Sequence, residues 1–135
     1  MGKMFDKYGD VFSKNSKWKK SIAVDLDGTL AQYKVGEFDP VVIGEPIPGA
    51  KEAMTGLKRL GYIIIVWTTR CNAEVMGETL LTLVCRVSNW LDKHQIAYDE
   101  IYVGQGKPLV YAFVDDRSVH FRGSWELALA ELKIL

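Results

Sequence analysis

Ser21-Ile22-Ala23-Val24-Asp25-Leu26-Asp27-Gly28-Thr29-Leu30 sets a short apolar run directly against two carboxylates, a glycine and a hydroxyl. Such a run, bounded by a turn signal, reads as a short buried strand. Carboxylates two residues apart disfavour each other's ionisation unless a cation or a cationic side chain sits between them. The strand therefore delivers concentrated negative charge to the point where the chain turns.

The same arrangement recurs downstream. Tyr62 to Trp67 is continuously apolar and β-branched, the pattern of a strand covered on both faces, and it ends at Thr68-Thr69-Arg70. Ile101 to Val103 predicts a third strand, followed by a loop with Gly104, Gly106, Lys107 and Pro108. Tyr111 to Val114 predicts a fourth, ending at Asp115-Asp116-Arg117.

Helical periodicity fills the intervals. Pro48-Gly49 opens a helix with Ala50, Ala53, Met54, Leu57 and Leu60 on one face, stopped by Gly61. Asn72 is placed to cap a second helix reaching about Lys93, with Met76, Leu80, Leu83, Val87, Trp90 and Leu91 inward. Ser124 is placed to cap a last one, Trp125 to Lys133, its leucines and alanines facing the core. Residues 31–49, rich in glycine and proline, predict turns and a small hairpin.

Strands alternating with helices imply a parallel sheet joined by right-handed crossovers, an α/β three-layer Rossmann-like fold. Ligands of such sheets bind outside the carboxyl ends of the strands. The clusters Asp25/Asp27, Thr68/Thr69 and Asp115/Asp116 each follow an apolar run, so the fold brings them to one edge.

Bulk properties agree with a single globular domain: 135 residues, 48% apolar, 25% charged and no net charge. No global field favours nucleic acid or membrane. Charge is uneven, however. Residues 1–20 carry Lys3, Lys7, Lys14, Lys17, Lys19 and Lys20 against Asp6 and Asp10, a basic arm ahead of a domain over 21–135. That arm reads as a solvated leader or as a phosphate-contacting segment. Cys71 and Cys85 lack the spacing of a zinc site or disulfide framework and are expected as buried or half-buried free thiols. The first residues lack the apolar core of a signal peptide, and Ile63 to Trp67 is far too short to span a bilayer. A cytoplasmic protein is expected.

The predicted edge gathers up to four carboxylates, two hydroxyls and a lysine. Hard oxygen ligands suit magnesium, which keeps water and substrate phosphate as its other ligands. A carboxylate can act as a nucleophile toward phosphorus, a second as acid and then base, and a lysine and hydroxyl can hold oxygens on which charge develops. This set resembles the haloacid dehalogenase superfamily of phosphohydrolases. The resemblance runs from about Ser21 to Trp125 through four ordered motifs: DLDGT, the hydroxyl of VWTTR, the lysine of GKP and the acidic pair of VDDR.

The resemblance implies Asp25 as nucleophile and metal ligand, and Asp27 as general acid/base with its backbone carbonyl on the metal. It implies Thr68, with Thr69 beside it, and Lys107 as phosphate-binding groups. Asp116 is the implied metal ligand of the acidic pair, supported by Asp115. Gly28 fits a sharp exit from the strand that leaves room for phosphate.

The gaps between motifs are too short for an inserted cap domain, so the chain resembles capless members, which act on large substrates or recruit a partner chain as lid. Tyr33, Glu37 and Phe38, on the small hairpin that would form a flap between Leu30 and Gly49, are then candidates to border the substrate. The VDDR ending resembles both 5′(3′)-deoxyribonucleotidases and the phosphatase domain of bacteriophage polynucleotide kinase. A nucleotide or a nucleic-acid 3′-phosphate is the corresponding substrate, with Arg70 or Arg117 either on a substrate phosphate or paired with the acidic cluster. Two other classes stand beside this one. A response-regulator receiver also uses aspartates, a threonine and a lysine, but its acidic pair comes first in the chain. A non-catalytic binding domain would be expected to have lost Asp25 or Asp27. His94 and His120 are expected to be structural or surface residues, and Trp67, Trp90 and Trp125 core or core-edge packing.

Overall fold

The computed structural model describes residues 17–34 and 36–133. Most of the basic arm, residues 1–16, thus lies outside the described residues, while Lys17–Lys20 form a 3-10 turn leading into the first strand. Four parallel strands, β1 (Ser21–Val24), β2 (Ile63–Val66), β3 (Glu100–Ile101) and β4 (Ala112–Val114), stand in the order β3-β2-β1-β4. The helices are α1 (Ala50–Arg59), α2 (Ala73–Met76), α3 (Leu80–Lys93) and α4 (Trp125–Lys133). The expected α/β fold with a central parallel sheet is present.

Strand order explains which side each connection takes. From β1 to β2 to β3 the chain steps in one direction, so right-handed crossovers put both intervening connections on one face. Ile22, Val24, Ile64 and Val66 line that face and pack with Ala50 and Met54 of α1 and Val87, Trp90 and Leu91 of α3. From β3 the chain reverses direction and jumps to β4 beside β1. The same handedness sends this connection over the opposite face, where Val110 packs on Ala23 and Ile65. The reversal makes the β1/β4 junction the sheet's topological switch point, the crevice in which such folds bind ligands.

Several helical expectations are corrected. The segment from Asn72 to Lys93 is two helices, because Gly77 turns left-handed at φ 71° and closes α2 after one turn. Thr79 then caps α3 by accepting a hydrogen bond from the Thr82 N–H. Met76, on the short α2, is only half-buried, and Leu80, although in phase with Leu83 and Val87, is exposed as the first residue of α3. On α1, Ala53 is exposed, and Leu60, the C-cap, is 76% exposed because the chain turns away there.

Helix α4 departs furthest. Ala128 is buried, yet Trp125, Leu127, Leu129 and Leu132 are all exposed. Leucines at every second position fall on different sides of a helix, so no one layer can cover them all. Cys85 is also exposed, lying across α3 from the buried Leu83 and Val87. The third strand is Glu100–Ile101, with Val103 exposed in the loop beyond it. His94 tilts against buried Trp90, and His120 is exposed. Among the described residues, no helix is long and apolar enough to cross a membrane.

Candidate active site

Register builds the site. Val24 pairs with Val66 and Val114, and Val66 pairs with Ile101, so these four residues stand level across the sheet. The next residue on each strand is Tyr102, Trp67, Asp25 and Asp115, reading from β3 to β4. The ladder continues into this row, with the Asp25 N–H donating to Val114 O, the Trp67 N–H to Val24 O and the Tyr102 N–H to Val66 O. All four residues line one open cleft of about 900 Å³, together with Thr68, Thr69, Lys107 and Arg117.

Asp25, Asp115 and Asp116 each offer a carboxylate oxygen within 4.8 Å of the others. Burial pushes the carboxyl of Asp25 up to about 7; the Leu26 N–H draws it down, and Asp115 and Asp116 push it up again. A cluster that holds a proton near neutrality for want of positive charge is electrostatically suited to a cation. The acidic pair is fixed locally, since Asp115 Oδ1 accepts from the Arg117 N–H at 2.8 Å.

Gly28 has a different use from an open phosphate contact. Its φ is +83°, and a Cβ there would run into the Asp116 carboxylate. Its N–H donates to Ala31 O, which tightens the turn after β1. Glycine is needed here for conformation and for the close approach of Asp116.

Thr68 is buried at the cleft floor, and its Oγ1 accepts from the Arg70 N–H. Thr69 is its exposed neighbour on the same wall. Lys107 is exposed on the glycine-flanked loop, its Nζ 4.6 Å above the ring of Phe113, which in turn tilts against Trp67. The buried thiol of Cys71 also lines the cleft, and burial pushes it up to about 11. It is no ready nucleophile.

Asp27 stands apart from this group. Both its oxygens accept from Arg70, Nε to Oδ2 at 2.8 Å and Nη2 to Oδ1 at 3.0 Å. It neither joins the three-carboxylate cluster nor lines the cleft. Arg70, 3% exposed, is thus paired with an acidic residue, one of the two roles the sequence leaves open for it.

The flap expectation is corrected as well. The segment between Ala31 and Ile47 is closed at its base by an Ala31–Pro46 bridge, the expected small hairpin. Tyr33, Glu37 and Phe38 do not line the cleft. Three side chains draw the flap away toward α3: Arg70 donates to Asp39 O at 2.8 Å, Arg86 to Pro40 O at 3.1 Å and Trp90 to Gly44 O at 3.0 Å. The cleft is walled instead by Asn72, Glu74 and Leu80 on one side and by Tyr102 and Gln105 on the other. Tyr102 was legible in principle, as the residue that follows an apolar strand in the same way as Asp25 and Asp115.

Comparison with solved structures supports this fold over most of its length. The chain is similar to a conserved protein from Bacteroides thetaiotaomicron at 25% identity and a TM-score of 0.52, covering 84% of this chain and 89% of that one. It is also similar to a protein from Vibrio cholerae at 29% identity and a TM-score of 0.50, covering 85% of this chain and 98% of that one. No protein-family model and no curated protein matches the chain.

Proposed function

We propose that this chain is a magnesium-dependent phosphatase of the haloacid dehalogenase type, hydrolysing a phosphomonoester through an aspartyl-phosphate on Asp25. One observation carries the reading: three carboxylates from the ends of β1 and β4 converge at the switch point, two of them, Asp25 and Asp115, lining a cleft that also holds Thr68 and Lys107. Three hard oxygen donors fit magnesium better than a softer metal. Asp25, Asp115 and Asp116 would hold it, and the chemistry it would supply is neutralisation of charge on the phosphate and the nucleophile.

In the first step an oxygen of Asp25 attacks phosphorus. The bond from phosphorus to the leaving oxygen breaks, and that oxygen takes a proton from Asp27, which must first leave Arg70, carry a proton and turn to the cleft. In the second step water attacks the phosphorus, gives its proton to Asp27, and the bond from phosphorus to Asp25 breaks to release phosphate. Thr68 and Lys107 hold the phosphoryl oxygens throughout.

The open cleft, with Arg117 and Lys107 lining it and no covering domain among the described residues, suits a nucleotide or the 3′-phosphate end of a nucleic acid, with a partner chain as lid in the second case. The same reading has the protein in the cytoplasm, where Cys71 and Cys85 stay reduced. A second reading, a phosphate-binding domain without turnover, is favoured by the engagement of both Asp27 oxygens with Arg70.

Phosphate release from p-nitrophenyl phosphate, mononucleotides and 3′-phosphorylated oligonucleotides separates the two. Release that needs magnesium and is lost in Asp25→Asn is the expected result. Magnesium binding with no release from any ester favours the second reading, and release that persists in chelator sinks the first.

A further inference from the structure

Arg70 makes the one connection, among the described residues, between the flap and the acidic motif through a charged side chain. Its guanidinium spends two N–H groups on Asp27 and another on Asp39 O, at 2.8 Å. Its flat face lies 4.5 Å from the ring centroid of Phe38, also on the flap. The Asp39 carboxylate in turn accepts from the N–H groups of Val41 and Val42, at 2.8 Å and 2.9 Å. Arg86 and Trp90 hold the flap too, through Pro40 O and Gly44 O, but neither of them also bonds an aspartate.

A planar fork bound to both oxygens of a carboxylate fixes its rotation as well as its position. Held this way, Asp27 is turned to Arg70 and not to the cleft. An acid/base group must come within hydrogen-bond reach of the oxygen whose proton it moves. Delivery of Asp27 to the cleft therefore requires a change in its contact with Arg70. Arg70 can shift only with its contacts to Asp39 and Phe38.

We infer that Arg70 is a positioning residue for Asp27, a latch through which the flap's position sets whether Asp27 faces Arg70 or the phosphate; the inference rests on the phosphatase reading for Asp27's role, and on geometry alone for the coupling. A substrate that moves the flap releases Asp27, and Asp27 in turn stabilises the flap where it stands. Coupling of this kind is reciprocal.

Reciprocity supplies a test that needs no turnover. Amide exchange at Val41 and Val42 is compared in the wild-type protein, in Asp27→Asn and in Arg70→Lys, at matched global stability. Asp27→Asn keeps the side chain's shape and removes its charge. A latch predicts exchange at both amides faster by about tenfold, within the usual span of such couplings. Arg70→Lys keeps the charge, loses the fork, and gives a smaller acceleration. Unchanged exchange in Asp27→Asn overturns the coupling.

Turnover supplies the second arm, comparing p-nitrophenyl phosphate with an alkyl phosphate, whose poor leaving group needs a proton. If Arg70 acts by holding Asp27 off the cleft, Arg70→Gln raises kcat on the alkyl ester by roughly tenfold, far less on p-nitrophenyl phosphate, with KM unchanged. The double variant with Asp27→Asn then loses that gain and is no faster than Asp27→Asn alone. Losses that are equal on the two esters and multiply in the double variant make Arg70 merely structural. A wild-type protein that hydrolyses neither ester removes the phosphatase reading and with it the positioning role, while exchange still decides the coupling.

Discussion

The carboxylate of Asp116 occupies the space in which a side chain at residue 28 would begin, so the turn after β1 and the end of β4 fit together only with glycine at Gly28. The contact links the first and last motifs of the chain and sets where one carboxylate of the cluster can lie. Gly28→Ala meets two obstacles. The left-handed backbone, φ +83°, costs an alanine about 1–2 kcal/mol, and Asp116 must move. The expected result is a loss of about that size in urea denaturation. Magnesium affinity by calorimetry falls by roughly tenfold or more, as when a ligand loses its orientation. A stability loss with unchanged affinity would remove Asp116 from the ligand set.

Asp25 gives the site a pH dependence whose sign is fixed. Its carboxyl is raised to about 7 in the metal-free protein, chiefly by burial. A raised acid favours the folded state at pH values below its unfolded range, and that contribution is lost as pH rises through 7. The metal-free protein is therefore less stable at pH 8 than at pH values where Asp25 is protonated, as far as this group is concerned. Magnesium must displace the proton, so its apparent affinity falls by about tenfold for each pH unit below 7. Calorimetric titration at several pH values checks this, and Asp25→Asn abolishes the slope. A pH-independent affinity in the wild-type protein refutes the assignment of Asp25 as a ligand.

The strands and the acidic edge were legible because each strand is an apolar run followed at once by polar residues, and register does the rest. The helices were less so. Periodicity alone put Leu60 on the inner face of α1 and leucines of α4 in the core, but burial depends on what stands opposite. Leu60 falls where the chain leaves the helix, and α4 is apolar on several sides at once. Gly77 and Thr79 carried a readable signal, a helix stop followed by a cap, that a continuous apolar stripe obscured. The pairing of Arg70 with Asp27 joins residues 43 positions apart, and sequence offered it only as one of two roles for that arginine.

That contrast in burial is itself measurable. Leu91 is fully buried beside Trp90 and Val87, and Leu91→Ala is expected to cost about 2–5 kcal/mol in urea denaturation. Leu60→Ala and Leu129→Ala, at exposed positions, are expected to stay within about 0.5 kcal/mol. A large cost at Leu129 means that α4 is covered by a surface beyond the described residues.

Asp99 ties α1 to β2 and supplies a second, opposite pH effect. Partial burial draws its carboxyl up, but the Lys58 ammonium at 2.7 Å and the Ile64 N–H outweigh this and hold it below its ordinary range. A lowered acid stabilises the fold above its unfolded value and loses that contribution as pH falls through the folded one. Asp99→Asn is expected to lower stability at pH 7 and to flatten the acid limb of the melting profile. An acid limb identical to wild type excludes the Lys58–Asp99 pair as its source.

Lys107 reaches the cleft from a loop bounded by Gly104 and Gly106, and its resting place is the face of Phe113. Phe113 leans on Trp67, so the cation is held by a ladder of rings running from β4 to the end of β2. An exposed cation–π contact contributes about 0.5–1 kcal/mol. Phe113→Leu, which leaves the lysine intact, is accordingly expected to weaken substrate binding by roughly two- to fivefold, read as KM, with kcat little changed. Lys107→Met removes the charge that opposes the phosphate in the transition state, and its loss falls on kcat, by roughly a hundredfold or more. Steady-state kinetics on p-nitrophenyl phosphate separates the two variants. Equal effects on KM and kcat in both would mean that Lys107 holds the loop and not the phosphate.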